Sequence, residues 1–252
     1  MPADSPPATV HATPPGNPSL SPRDHAEPWW ERFAPLGAPG FLLTLVLGGV
    51  AAGASSPAGD APAAEIATYF AEHQGGHLAN TFLSALGAFV LYPWFLASLW
   101  RAIRSVEDEH GLCAPVVLVA GVALLGPLLI QLAGWGAAAL QAGDQRDPAV
   151  AAALFDLGST AFLIFPLPAA VVVVATTLAN RSGPLLPVWL ARAGLPVAAV
   201  MVLGAFPLGQ FMFALFGLWL IAVTVALMRS SDRGRSAHAD REQRTAAGHA
   251  AS

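Results

Sequence analysis

Apolar and polar positions along this chain fall into long blocks. From Gly111 to Met228 the only charged residues are Asp144, Arg146, Asp147, Asp156, Arg181 and Arg192. A helix that crosses a bilayer needs about 20 apolar residues, with a range of about 17–25. Six stretches meet that requirement, near 36–54, 77–100, 114–140, 154–179, 190–207 and 210–228. Pro196 and Pro207 bracket a short apolar run in the fifth. Only the turn Pro207-Leu208-Gly209 parts it from the sixth, which predicts a tight helical hairpin. The pattern predicts an all-α fold, a polytopic transmembrane helix bundle of six spans.

Composition agrees. The 252 residues are 55% hydrophobic and 11% charged, against about 25% charged in an average soluble domain. That excludes an ordinary water-soluble globule and an acidic disordered chain. A net charge of -4 gives no basic surface for nucleic acid. The single cysteine, Cys113, excludes an intrachain disulfide and a cysteine-only zinc site. Residues 1–28, rich in Pro, Ala, Ser and Thr, read as a disordered tail, and 229–252 as a second tail with five arginines. The domain between them is 29–228. Residues 1–28 lack the basic start and early apolar stretch of a cleaved signal peptide.

Orientation follows from the basic residues, which are all Arg. With six spans both termini share a side. Arg23, Arg32, Arg101, Arg104, Arg181, Arg192 and the five tail arginines fall on it, and only Arg146 lies opposite. The positive-inside rule then puts both termini in the cytoplasm of a plasma-membrane protein. Trp29, Trp30, Trp100 and Trp189 would sit at that inner interface, where indole rings are favoured.

Two outer loops carry helix signals. Asp60 precedes Ala61-Pro62, a start signal with an N-cap and an early proline. Ile66, Tyr69, Phe70 and His73 follow at helical spacing, so a short amphipathic helix should lie on the outer surface and end at Gly75-Gly76. Asp147-Pro148 repeats the start signal, and that helix should run unbroken into the fourth span.

Polar side chains within a bilayer are costly and are functional candidates. They collect in the outer half: His77 and Asn80 at the start of the second span, Gln131 and Trp135 in the third, Asp156, Ser159 and Thr160 in the fourth. Converging, they would form an outward-facing polar pocket. Satisfying one another, they would only hold helices together. Asp156 is the acidic residue placed within a span. His73 and His77 stand four apart after Glu72, a spacing that suits zinc or copper on a continuous helix, with Asp156 as a third ligand in space. Gly75-Gly76 interrupts that spacing, and two loop histidines are the plain alternative.

The inner segment from Arg101 to His110 mixes charges at helical spacing, Arg104 with Asp108 among them, and reads as a solvated helix end. Cys113, at the start of the third span, is a small buried hydrophobe or a palmitoylation target. Gly49 and Gly53 in the first span, and Gly121, Gly126, Gly134 and Gly136 in the third, should allow close helix approach. Pro93, Pro127, Pro166 and Pro168 should kink their helices. Carbonyls freed at the Pro166-Leu167-Pro168 break could bind an ion or simply be packed over. The chain has no nucleophile elbow, metalloprotease helix motif, Walker loop or voltage-sensor arginine series.

Three segments carry a resemblance: Glu65-Ile-Ala-Thr-Tyr69-Phe-Ala-Glu-His73, then Asp147-Pro148 with Leu154-Phe-Asp156-Leu-Gly158, then Leu186-Pro-Val-Trp189-Leu-Ala-Arg192-Ala-Gly194. Over about residues 36–228 the chain is similar to uncharacterised actinobacterial membrane proteins of domain-of-unknown-function family 4386. The resemblance implies a bacterial six-helix membrane bundle and brings no activity, ligand or catalytic residue.

The sequence therefore favours a non-enzymatic integral membrane protein with an envelope, sensing or partner-subunit role. It implies no cofactor, and as partners the lipid bilayer and a membrane protein or a second copy. The alternatives are a small-molecule or ion transporter using the outer polar cluster, and a membrane enzyme with a metal site of His73, His77 and Asp156.

Overall fold

The structure, a computed structural model, describes residues 33–53, 56–142, 146–209 and 211–230. The expected tails, with Trp29, Trp30, Arg23 and Arg32, lie outside the described residues, save that the last helix runs on through Arg229 and Ser230. The described residues are helical, with no strand among them. Six helices are long and apolar enough to cross a membrane: α1 (Ala34–Ala52), α3 (Gln74–Arg104), α4 (Cys113–Gln141), α5 (Pro148–Ala179), α6 (Val188–Leu208) and α7 (Phe211–Ser230). Between α1 and α3 lies one short helix, α2 (Ala63–Glu72). At about 1.5 Å per residue α3, α4 and α5 are each roughly 45 Å long, more than a ~30 Å hydrocarbon core. Their ends therefore project from the core or the helices tilt.

Local chemistry sets the helix ends. Asp147 accepts the Ala149 N–H at 2.9 Å and Pro148 opens α5, as the sequence signal indicates. Asp60 does not do the same for α2, whose flanking residue is Pro62 with no side-chain cap. Glu107 caps α4 from six residues upstream: its two oxygens accept the N–H groups of Cys113 at 2.9 Å and Ala114 at 3.0 Å. Those donors have no partner inside the helix, and a carboxylate there also meets the positive end of the helix dipole. Arg104, expected to pair with the Asp108 side chain, instead donates to the Asp108 backbone carbonyl at 3.4 Å. Gly53 ends α1 at φ +101°, and Gly209 turns the α6–α7 hairpin at φ +31°.

Two helices depart from regular α geometry. In α3 residues Gly87–Leu91 form a π-helical segment directly before Tyr92-Pro93. Proline at 93 has no N–H to donate, and the wider turn accommodates that gap. The helix begun at Pro148 does not run unbroken. It breaks at Phe165, between Ile164 and Pro166, and resumes to Ala179.

Helix α5 is the axis of the bundle: its most apolar stretch is 56% buried, against 28% for α1. It packs on α4, α6 and α7. Helix α7 also meets α1, where the Thr224 hydroxyl donates to the Pro35 carbonyl at 3.3 Å. The main core joins Phe41, Tyr92, Phe95, Leu124, Phe165 and Phe216 from five spans. Helices approach closely at glycine. A Cβ on Gly134 of α4 would lie 2.8 Å from the Leu154 carbonyl oxygen and 3.1 Å from Gly158 Cα of α5. Gly136 meets Thr81 of α3, and Gly194 of α6 meets Thr177 of α5. Such small-residue contacts let dispersion act between backbones where lipid and side chains are equally apolar.

In α1 the close-approach residue is Gly48, which faces Asn80 and Ser84. Gly49 is the position that the sequence points to, but no atom comes within 4 Å of a Cβ built there, and Gly53 is the helix end. Among the four glycines expected to thin α4, Gly126 is likewise open.

The link after α3 and the link after α5 lie together, a Cβ on Gly183 falling 3.0 Å from Val106 Cβ. This end carries Arg101, Arg104, Arg181 and Arg192. Helix α2 covers part of the opposite end.

Candidate functional site

The end of the bundle opposite the arginines is closed by α2. Its apolar face, Ile66 and Phe70, is buried against Ala138 and Ala139 of α4 and Phe155 of α5. Burial of these two side chains contributes about 1.5–3 kcal/mol each. Hydrogen bonds pin the edges. The Tyr69 hydroxyl donates to the Ala52 carbonyl at the end of α1 (3.4 Å), and Gln74 Nε2 donates to the Ala139 carbonyl (3.0 Å). Burial raises the Tyr69 phenol above its usual value, so it remains a donor across the physiological range. The break between α2 and α3 falls at His73, not at Gly75-Gly76, which lie in the first turn of α3. Gly76 takes that place because it lies against the Ala51 carbonyl of α1, leaving no room for a side chain.

Beneath α2, His77 is only 2% exposed. Its ring lies 4.5 Å from Phe70, 5.5 Å from Tyr69 and 6.1 Å from Trp135, centroid to centroid. Phe155 extends this aromatic wall, 5.7 Å from both Phe70 and Trp135. Neither ring nitrogen of His77 has a hydrogen-bond partner. Its backbone N–H donates to the His73 carbonyl at 3.0 Å. His73 is exposed; its ring stacks on Tyr69 at 4.6 Å, and its Nδ1 lies 2.9 Å from the Tyr69 carbonyl. A carbonyl only accepts, so Nδ1 carries the proton.

The other candidate side chains part company with His77. Asn80 Oδ1 accepts the Ser84 hydroxyl at 3.0 Å, and the pair faces Gly48 of α1. Ser159 accepts the Trp135 indole N–H at 3.3 Å, which joins α5 to α4. Thr81 hydroxyl reaches the Leu132 carbonyl of α4 at 3.2 Å. Gln131 is half-buried where its backbone carbonyl would lie 3.0 Å from a Cβ on Gly158. Asp156 and Thr160 are exposed on the outside of α5. Phe155, one residue before, points inward, and the ~100° step of a helix turns Asp156 away. Asp156 stands about 12 Å along α5 from Pro148.

The outward polar pocket expected from His77, Asn80, Gln131, Asp156 and Ser159 is therefore not assembled as one constellation. His77 and Ser159 meet only through Trp135; Asn80 serves the α1–α3 contact; Asp156 faces out. Nor does the structure bring His73, His77 and Asp156 together: among the described residues no three His, Cys, Asp or Glu side chains gather as ligands would. The Pro166–Pro168 break is packed over, Phe165 lying 5.6 Å from Phe162, 5.2 Å from Phe213 and 5.8 Å from Phe216.

Three features of the structure are absent from the sequence reading. The aromatic wall around His77 comes from three helices, α2, α4 and α5, and only the Tyr69-Phe70 part was legible, as the apolar face of α2. Tyr92 is fully buried with its hydroxyl unpartnered, beside the π-helical segment and 3.2 Å from a Cβ on Gly121. Glu107 gave no helical-spacing signal because its reach crosses a turn.

No family model matches this chain, and neither a curated protein nor a solved structure matches it.

Proposed function

We propose that this chain is a non-enzymatic integral protein of the plasma membrane, acting as a packed bundle in envelope maintenance, sensing or as a partner subunit. One observation carries the reading. The polar side chains at the α2 end are engaged in packing and helix contacts (Asn80 bonded to Ser84 within α3 and lying against Gly48 of α1, Ser159 with Trp135, Thr81 on α4) where a transporter would turn them toward a common solute. The two interhelical hydrogen bonds among them, Trp135 to Ser159 and Thr81 to the Leu132 carbonyl, contribute about 0.6 kcal/mol each on average.

Orientation belongs to the same proposal. Eleven of the twelve arginines fall on one side of a six-span topology. The positive-inside rule makes that side, with both termini, cytoplasmic. Exposed Trp100 and Trp189 at the arginine end fit the aromatic belt of an interface.

The test uses the chain with Cys113→Ala in intact cells. Ser56→Cys should react with a membrane-impermeant thiol reagent, and Ser236→Cys in the tail should react only after lysis. The reverse pattern contradicts the orientation. In a strain deleted for the protein, His77→Phe and Asp156→Asn variants that insert normally should both restore the wild-type phenotype. Failure of either contradicts the non-enzymatic, packing-based role.

A further inference from the structure

At the arginine end a groove of about 820 Å³ opens on the bundle surface between α4, α5 and α6. Its floor is alanine: Ala170 and Ala198 are 3% exposed. Its walls are larger, Leu178 on α5 and Leu195 and Leu203 on α6. The exposure of Leu195 (44%) and Leu203 (79%) shows that the groove opens outward along its length. From Leu167 to Leu178 the α5 wall rises about 16 Å, at ~1.5 Å per residue. One leaflet of a ~30 Å hydrocarbon core is about 15 Å deep. The groove thus runs from one interface to about mid-membrane.

The mouth of the groove is basic. The lining positions of α6, Leu195, Ala199 and Val202, step by three and four, and one turn earlier on the same stripe is Arg192. On α5 the stripe of Val171, Val174 and Leu178 stops with the helix at Ala179, and Arg181 stands in the turn just beyond, its N–H donating to the Leu178 carbonyl at 2.9 Å. Both arginines are exposed, and neither has an ion-pair partner among the described residues. Arginine matches phosphate oxygens with its planar fork of donors. Apolar depth of one leaflet beneath two free guanidinium groups is the chemical outline of a single anionic lipid.

We propose that this groove holds one acyl chain of an anionic glycerophospholipid, whose phosphate pairs with Arg181 and Arg192. The small floor residues make the groove deep enough for one chain to be drawn in from the annulus. The arginines select the headgroup. Zwitterionic lipid enters the same groove with weaker hold, because its ammonium offsets the phosphate.

The experiment is native mass spectrometry of the purified full-length protein, incubated with equal amounts of phosphatidylglycerol and phosphatidylcholine of identical acyl chains. One phosphatidylglycerol per chain should be retained in preference to phosphatidylcholine. Each arginine near an anionic surface accounts for a factor of about five. The double variant Arg181→Gln with Arg192→Gln should bring the preference to about one, with fold and melting temperature unchanged. Ala199→Phe places a ring in the groove from an exposed position and should abolish retention of both lipids with helix content kept. Equal retention of the two lipids by the native chain overturns the proposal. So does phosphatidylglycerol retention that survives both variants. A dimer cross-linked through Ala199→Cys in the Cys113→Ala background would overturn it too, by seating a second copy in the groove.

Discussion

The His77 ring stands edge-on to Trp135, centroids 6.1 Å apart and planes at 78°, while the Trp135 indole N–H turns away to Ser159 at 3.3 Å. The histidine in the first turn of α3 is thus an aromatic core element, and the donors on the rings beside it, Trp135 and Tyr69, are engaged elsewhere. Two buried nitrogens without partners are a stability cost of about 1–3 kcal/mol for each group left unpaired. His77→Phe removes both and keeps a ring of similar size. We expect it to melt at or above the native temperature in the same detergent, and His77→Ala to lose about 3–5 kcal/mol, as for other buried rings. A His77→Phe variant that unfolds well below the native protein would show a needed polar contact at this ring.

The glycine contacts separate into close and open positions, and so should their variants. A Cβ at Gly158 would lie 2.7 Å from Trp135 Cδ1 and 3.0 Å from the Gln131 carbonyl. Gly158→Ala should destabilise by about 1–3 kcal/mol through overpacking. Gly49→Ala and Gly126→Ala meet no atom within 4 Å. They should be neutral or stabilise by up to about 1 kcal/mol through helix propensity. Thermal unfolding of the three variants checks the order; equal effects at all three would contradict these helix contacts.

Glu107 couples the start of α4 to pH. Burial alone would raise its carboxyl. The N–H donors of Ala114 and Cys113 and the charge of Arg104 outweigh that and hold it below its ordinary 4.5. A depressed carboxylate stabilises the fold fully above 4.5, and the contribution is lost as pH falls through the folded value. Glu107→Gln should cost about 0.5–2 kcal/mol at ~pH 7, the range for lost helix caps. Its deficit relative to the native chain should shrink as pH drops below 4.5. A deficit that stays constant down to about pH 3 would mean the charge plays no part.

Asp156→Asn should leave the stability within about 0.5 kcal/mol of native, the range for surface substitutions away from special features. The carboxylate is exposed and turned from the bundle. A large loss in differential scanning of the purified variant would place Asp156 in a contact that the fold does not give it.

Hydropathy made the architecture legible: the six spans stand within a few residues of where the apolar runs place them, and the α6–α7 turn falls at Gly209. Helix-start chemistry was readable where the cap and the proline act alone, as at Asp147-Pro148, and misled at Asp60, where α2 is fixed by packing of Ile66 and Phe70. The site was less legible because depth in the membrane does not fix azimuth. Asp156 and Ser159 lie at similar depth, yet one faces out and the other meets Trp135. The same limit moved the close approach of α1 from Gly49 to Gly48, a ~100° step around the helix. Gly75-Gly76 read as a helix end because glycine usually breaks helices; here Gly76 lies in the first turn of α3 so that α1 can come close.

The central claim is that the polar residues of the α2 end pack helices together in a dry interior. Ser84 tests it most directly, being fully buried between α1 and α3 with its hydroxyl on Asn80. With Cys113→Ala as background, Ser84→Cys is a small change at that point. In sealed proteoliposomes the account predicts that this thiol stays unreactive toward a water-soluble reagent added on either side, while Ser56→Cys labels readily. Labelling of Ser84→Cys in folded protein would place water between α1 and α3, contradict the account and restore the transporter reading.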